Sequence, residues 1–292
     1  MKIFDPHIHM SSRTTDDYER MAEAGIAVVL EPAFWQGQPR TSVGSFVDYF
    51  AGLVGWERFR ASQFGIAHFC TLSLNPKEAN NARIAESVLE LLPRFLQKDG
   101  VVGVGEIGYD EITDQEEKIF AQQLEIAKNL RLPALVHTPH RDKKRGTERT
   151  IALVREIGIP EGMVLIDHNN EETLPLVKKT GCWAGHSIYP DTKMTEERMV
   201  TLMKRYGVER IIINSAADWG KSDPLKVPKT MAAMRASGFS EDDVETVVWR
   251  NPRDFFAQSG RLDLSALEDP HIDQSLLFEG NSVLRGQVPR RT

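Results

Sequence analysis

The feature that most constrains this chain is an eightfold alternation of short β-branched runs with longer amphipathic stretches, extending from the N-terminus to about residue 215. The runs are Lys2–Phe4, Ile26–Leu30, Ile66–Leu74, Val101–Glu106, Ala134–His137, Met163–Asp167, Cys182–Gly185 and Arg210–Ile213. Most are apolar throughout rather than alternating. That is the pattern of strands covered on both faces, as in a parallel sheet wrapped by helices. The stretches between them carry helix punctuation. Thr14 or Thr15 can cap a helix through TDDYERMAEA that stops at Gly25, and Pro76 opens a single helix over PKEANNARIAESVLELL. TDQEEKIFAQQLEIAKNL and TEERMVTLMKRYG read the same way. Eight strand–helix units with no linker between them predict an α/β fold, a single-domain (β/α)8 TIM barrel over residues 1–260. Residues 261–292 lack the rhythm and predict an irregular C-terminal extension.

Composition narrows the setting. In 292 residues, 36 Lys+Arg stand against 42 Asp+Glu, a net charge of −6, which disfavours a protein that grips long nucleic acid by charge. No apolar run approaches the roughly 20 residues of a bilayer span. MKIFDPHIHM is too short in apolar content and too interrupted for a signal peptide. Cys70 and Cys182 make no disulfide framework, so a reducing, cytoplasmic location is expected.

Ionisable residues mark the strand ends. His7 and His9 stand two apart after the first strand, a spacing that turns both side chains to one face. Glu106 ends VVGVGE, His137 ends PALVH, His168 ends MVLIDH, and Asp218 follows RIIIN. Barrel enzymes place their chemistry at these C-terminal strand ends. Neutral imidazole and carboxylate oxygen suit Zn²⁺, Mn²⁺ or Fe²⁺, with no thiolate among them. Asp5, on the same face as the first histidines, is a candidate to orient one of them. The glycines of VGVGEIGYD open no helix, and no phosphate-binding loop is present, so a nucleotide cofactor is not expected.

FDPHIHM, VGVGEIGYD, PALVHTPHR, the strand-end His168 and the late NPRDFF resemble the TatD-type metal-dependent hydrolases of the amidohydrolase superfamily, over about residues 1–260. The resemblance implies a binuclear centre with two divalent ions. His7, His9 and Asp218 would serve one metal, His137 and His168 the other, and Glu106 would bridge. It implies that the ions activate water and that Asp218, with Glu106 as the second catalytic carboxylate, accepts the proton. At the eighth strand this chain reads NSAADWG where the family has Glu-Thr-Asp, so Asp223 stands as the alternative to Asp218.

The candidate substrate contacts are His140 and Arg141 in a basic loop after the fifth strand, His186 at the end of the seventh, and Trp35 in the long loop after the second. His68 and His271 read as structural. The leading expectation is a hydrolase of a small phosphoester or other ester or amide. Nucleic acid is an allowed but not favoured substrate, and no membrane or defined oligomer is implied. The competing classes are a TatD-like deoxyribonuclease, a mononuclear deaminase or amidohydrolase, and a barrel that binds metal or ligand without turnover.

Overall fold

The computed structural model describes residues 1–268, so His271 and most of the C-terminal extension lie outside the described residues. Eight strands form one sheet in sequence order, each pair parallel: β1 (Ile3–Asp5), β2 (Ile26–Pro32), β3 (Ala67–Leu72), β4 (Val101–Gly108), β5 (Ala134–His137), β6 (Val164–Ile166), β7 (Trp183–Ser187) and β8 (Ile211–Asn214). The first and last strands meet through loop backbone just past their ends: Ala216 N–H donates to His7 O at 2.8 Å, and His9 N–H to Ala217 O at 2.9 Å. Asp5 fastens the same seam, its Oδ1 accepting from Ser215 N–H at 3.2 Å and His7 N–H at 3.4 Å. The chain is therefore a TIM barrel with eight parallel strands.

Two apolar layers hold it. The larger lies between the sheet and the surrounding helices. The smaller fills the barrel itself, where Phe4, Leu30, Phe69, Leu135, Leu165 and Ile212 meet Phe255 and Phe256. Those phenylalanines belong to the helix Asn251–Ala257, the NPRDFF segment. Its Asn251 Nδ2 donates to Val208 O and Ile211 O at 2.8 and 2.7 Å, fixing the helix beside β8. Residues 261–268 continue along this side, with Leu262, Leu264 and Leu267 packed against the inner cluster.

The helix ends follow the capping chemistry of the sequence. Thr113 Oγ1 accepts from Glu116 N–H, while Glu116 returns to the Thr113 N–H, starting the helix Asp114–Leu130. Thr195 caps Glu196–Tyr206, and Thr14 precedes Thr15–Glu23. The Pro76 segment differs from expectation: it is two helices, Pro76–Ala79 and Ala82–Phe95. Between them Asn80 is drawn aside, donating to Glu116 Oε1 at 2.9 Å and accepting from the Thr113 hydroxyl at 2.6 Å. Among the described residues no helix is long and apolar enough to cross a membrane.

Candidate metal centre

A cavity of about 200 Å³ opens at the C-terminal ends of the strands. His7, His9, Glu106, His137, His168 and Asp218 all line it, together with Phe34, Trp35, Asn75, Lys77 and Lys193. Glu106 is at its centre. Its Oε1 lies 2.9 Å from His137 Nδ1, 2.9 Å from His168 Nε2 and 3.8 Å from His7 Nε2. Asn75 Nδ2 donates to the other oxygen at 3.1 Å. Burial alone would raise the Glu106 carboxyl, but His137 and His168 at its oxygen overcome that and hold it well below the usual carboxylate range.

The first two histidines converge. His7 Nε2 and His9 Nε2 are 3.3 Å apart, too close for both to carry protons and a natural place for lone pairs to meet one cation. Asp167 fixes the orientation of His7, with Oδ2 2.7 Å from Nδ1. That bond puts the proton on Nδ1 and turns the Nε2 lone pair toward the cavity. Asp167 is 0% exposed; its two oxygens also accept from Asn214 Nδ2 at 3.1 and 3.0 Å and from His168 N–H at 2.7 Å. Burial would raise its carboxyl, yet His168 and His7 hold it far below the usual range.

His168 has a left-handed backbone, φ 61°, rare for a residue with a side chain and typical of strained functional positions. The Asp167 bond to its N–H holds that turn. Its Nδ1 lies 2.6 Å from Ser187 Oγ and 3.2 Å from Lys193 Nζ. Burial, with Lys193 beside it, keeps the His168 imidazole well below its ordinary range, and burial with His7 does the same for His9. Both rings are neutral, the form that ligates.

Buried neutral imidazoles turned toward an ionised carboxylate match the chemistry of a divalent cation site. His7, Glu106 and His168 each place a ligand atom within 4.8 Å of the others.

Asp218 is half-buried at the edge of the cavity. Its Oδ1 accepts from Tyr189 OH and Gly220 N–H, both at 2.8 Å, and among the described residues Oδ2 takes no protein hydrogen bond. Asp223 lies away from the cavity, bound to Lys229 Nζ and to Leu225 N–H.

The expected substrate contacts divide. Trp35 and His140 line the cavity. Arg141 is exposed and does not line it, and the neighbouring Lys143 turns back to Thr138 Oγ1 at 3.2 Å. His186 is 0% exposed and does not line the cavity: it shares the face of Ala184 and pairs with Ile213, both in the layer between sheet and helices, whereas its neighbour Ser187 faces the mouth and reaches His168. The structure does not bring His186 to the site. Asp5 holds the backbone of His7 rather than its ring, a task taken by Asp167. His68 pairs with Glu31 at 3.0 Å, buried and apart from the cavity. Phe34 stacks between His9, at 4.0 Å, and Trp219, at 5.9 Å, forming an aromatic wall that the loop's length alone did not locate.

The family model described as TatD related DNase matches residues 4–257. An uncharacterised metal-dependent hydrolase of Methanocaldococcus jannaschii is 27% identical over 87% of this chain and 99% of its own length. A TatD-like protein from Archaeoglobus fulgidus is also 27% identical over 87% of this chain and 99% of its own, with a TM-score of 0.74. A phosphotriesterase homology protein from Escherichia coli, solved with phosphate in its active site, shares the fold at a TM-score of 0.64, with 16% identity over 87% of this chain and 98% of its own. A barrel with this cavity, matched along nearly its whole length, belongs to the TatD family of metal-dependent hydrolases.

Proposed function

We propose that the protein hydrolyses phosphoester bonds with two divalent cations held around Glu106. His7, His9 and Asp218 would hold one cation, and His137 and His168 the other. The observation that carries this reading is the position of one ionised carboxylate oxygen, 2.9 Å from both His137 and His168 and 3.8 Å from His7. A paired divalent centre supplies a water acidified to near neutrality and a charge clamp on the scissile group.

The chain's own residues supply the rest. Asp167 and Ser187 set which nitrogens of His7 and His168 face the cavity. Asn75 steadies Glu106 from the opposite oxygen. Asp218, fixed through Oδ1 by Tyr189 and Gly220, keeps Oδ2 available to take a proton from the attacking water and return it to the leaving group. Phe34, Trp35 and Trp219 shield one side of the site from bulk water.

A second reading rests on the compact trio of His7, Glu106 and His168, which one cation could satisfy, as in a mononuclear amidohydrolase. Elemental analysis separates the two by stoichiometry. Activity is then screened with the metal found, on phosphomonoesters, phosphodiesters including short single-stranded DNA, lactones and amides. Turnover of phosphoesters that falls by orders of magnitude in Glu106→Gln and Asp218→Asn supports the proposal; full activity in both variants refutes it.

A further inference from the structure

Lys193 is a cation at the mouth of a site suited to bind cations, and no feature described so far explains it. It lies in the loop after β7, which is tightly built. Tyr189 N–H donates to Met194 O at 3.0 Å, and Met194 N–H to Ser187 O at 3.2 Å. Arg198 donates to the Lys193 carbonyl at 2.7 Å and is itself clamped by both oxygens of Glu171, at 2.8 and 2.6 Å. The backbone is thus fixed on both sides of the lysine, and its ammonium stands 3.2 Å from His168 Nδ1 and 5.5 Å from the centre of the Tyr189 ring.

The other lysine on the cavity wall is already neutralised, since Lys77 Nζ pairs with Asp110 at 2.8 Å. Among the described residues no carboxylate lies within 4 Å of Lys193 Nζ. Glu106, Asp167 and Asp218 act on the ammonium only from beyond contact distance and do not offset its burial, and placing it beside imidazoles that would bind cations adds repulsion.

Proton bookkeeping at His168 sharpens the point. With Nε2 directed to Glu106, a cation at that nitrogen leaves the ring proton on Nδ1, where Ser187 Oγ at 2.6 Å accepts it. Lys193 then has no acceptor on the ring, and its three N–H donors are free for an incoming anion.

We propose that Lys193 recognises the anionic group of the substrate, its ammonium taking a nonbridging oxygen of a phosphoryl group placed beside Glu106 and His168. This assignment rests on the phosphoester reading above and adds the residue that selects an anion there. Its signature is a pair of opposite effects. Removing the charge weakens anion binding while leaving metal retention equal or stronger, whereas a lysine that merely propped His168 would lose both together.

The test uses the full-length protein loaded with Mn²⁺, titrated calorimetrically with inorganic phosphate, with bound metal counted after gel filtration. Lys193→Met is expected to weaken phosphate binding about tenfold or more, the loss of one charge-assisted hydrogen bond. Lys193→Arg, which keeps the charge, is expected to lose less. Both variants are expected to hold at least as much metal as the wild type. Unchanged phosphate affinity in Lys193→Met, or a loss that only follows lost metal, overturns the assignment. So does a metal-loaded wild type that binds no phosphate, which leaves the metal centre standing. A wild type that binds no divalent metal overturns the underlying reading instead.

Discussion

Asp5 makes a pH experiment possible without any substrate. The residue is 0% exposed at the seam between β1 and β8, and among the described residues its Oδ2 has no hydrogen-bond partner. Burial pushes its pKa up to about 7 against 3.8, although Ser215 and His7 pull the other way. A carboxyl raised in the folded state binds its proton more tightly there than in the unfolded chain. Its stabilising contribution is therefore complete below about pH 4 and is lost as pH rises through about 7. With one pKa unit equal to about 1.36 kcal/mol, the metal-stripped protein should lose about 2–3 kcal/mol from this group between pH 5 and pH 8. Asp5→Asn keeps an acceptor for the two backbone N–H groups and cannot titrate. Denaturant unfolding in chelator, run on both proteins across this range, isolates the group, because other titrating residues cancel in the difference. The gap between the curves should move in favour of the variant by that amount as pH rises. Parallel curves would show that Asp5 is ionised in the fold throughout, and the reasoning from burial would fail.

Other consequences follow from the same contacts. Asp167→Asn removes the charge of the group that fixes His7 and sets an NH2 donor where one of its two oxygens accepts, and should lower metal affinity by about 10–100-fold, read by competition with a chromogenic chelator; unchanged affinity would show that the Asp167 carboxylate is not the orienting group. Gly185→Ala should behave likewise without touching a ligand, since a Cβ there collides with the Asp167 carboxylate; wild-type metal affinity in a folded Gly185→Ala protein would contradict this. Tyr189→Phe frees Asp218 of its hydroxyl donor and should reduce turnover several-fold with metal content unchanged, measured on whichever phosphoester the screen identifies. Trp219, 54% exposed, contributes surface rather than core. Trp219→Ala should leave stability within about 0.5 kcal/mol while raising KM, and an unchanged KM would remove it from the substrate wall.

Much of this site was legible because barrel geometry converts strand ends into one location. His7, His9, Glu106, His137 and His168 each follow an apolar run, so counting strands already places them around a single mouth. What lay hidden depended on contacts between distant segments. Asp167 reads as the polar residue that follows β6, and only the curvature of the barrel brings it 2.7 Å from a ring just past β1. Lys193 and Tyr189 belong to a loop whose hydrogen bonds carry no local sequence signature. His186 ends its strand as the others do, yet it is one residue out of phase: Ser187 faces the mouth and His186 the helices, and strand-end position alone does not distinguish the two outcomes. The helix break at Asn80–Asn81 has a similar cause, since Asn80 answers to Glu116 and Thr113 on another helix rather than to its own turn. The loop after β2 was visible as long and aromatic, but the stacking of Phe34 on His9 required the packed barrel.

On the proposed reading Glu106 would stand between two cations. Elemental analysis of the purified protein after saturation with Mn²⁺ or Zn²⁺ and removal of free metal tests it most directly. Two ions per chain in the wild type, with fewer than one retained in Glu106→Gln, is the expected result; a wild-type ratio of one or none, or an undiminished ratio in Glu106→Gln, would contradict it.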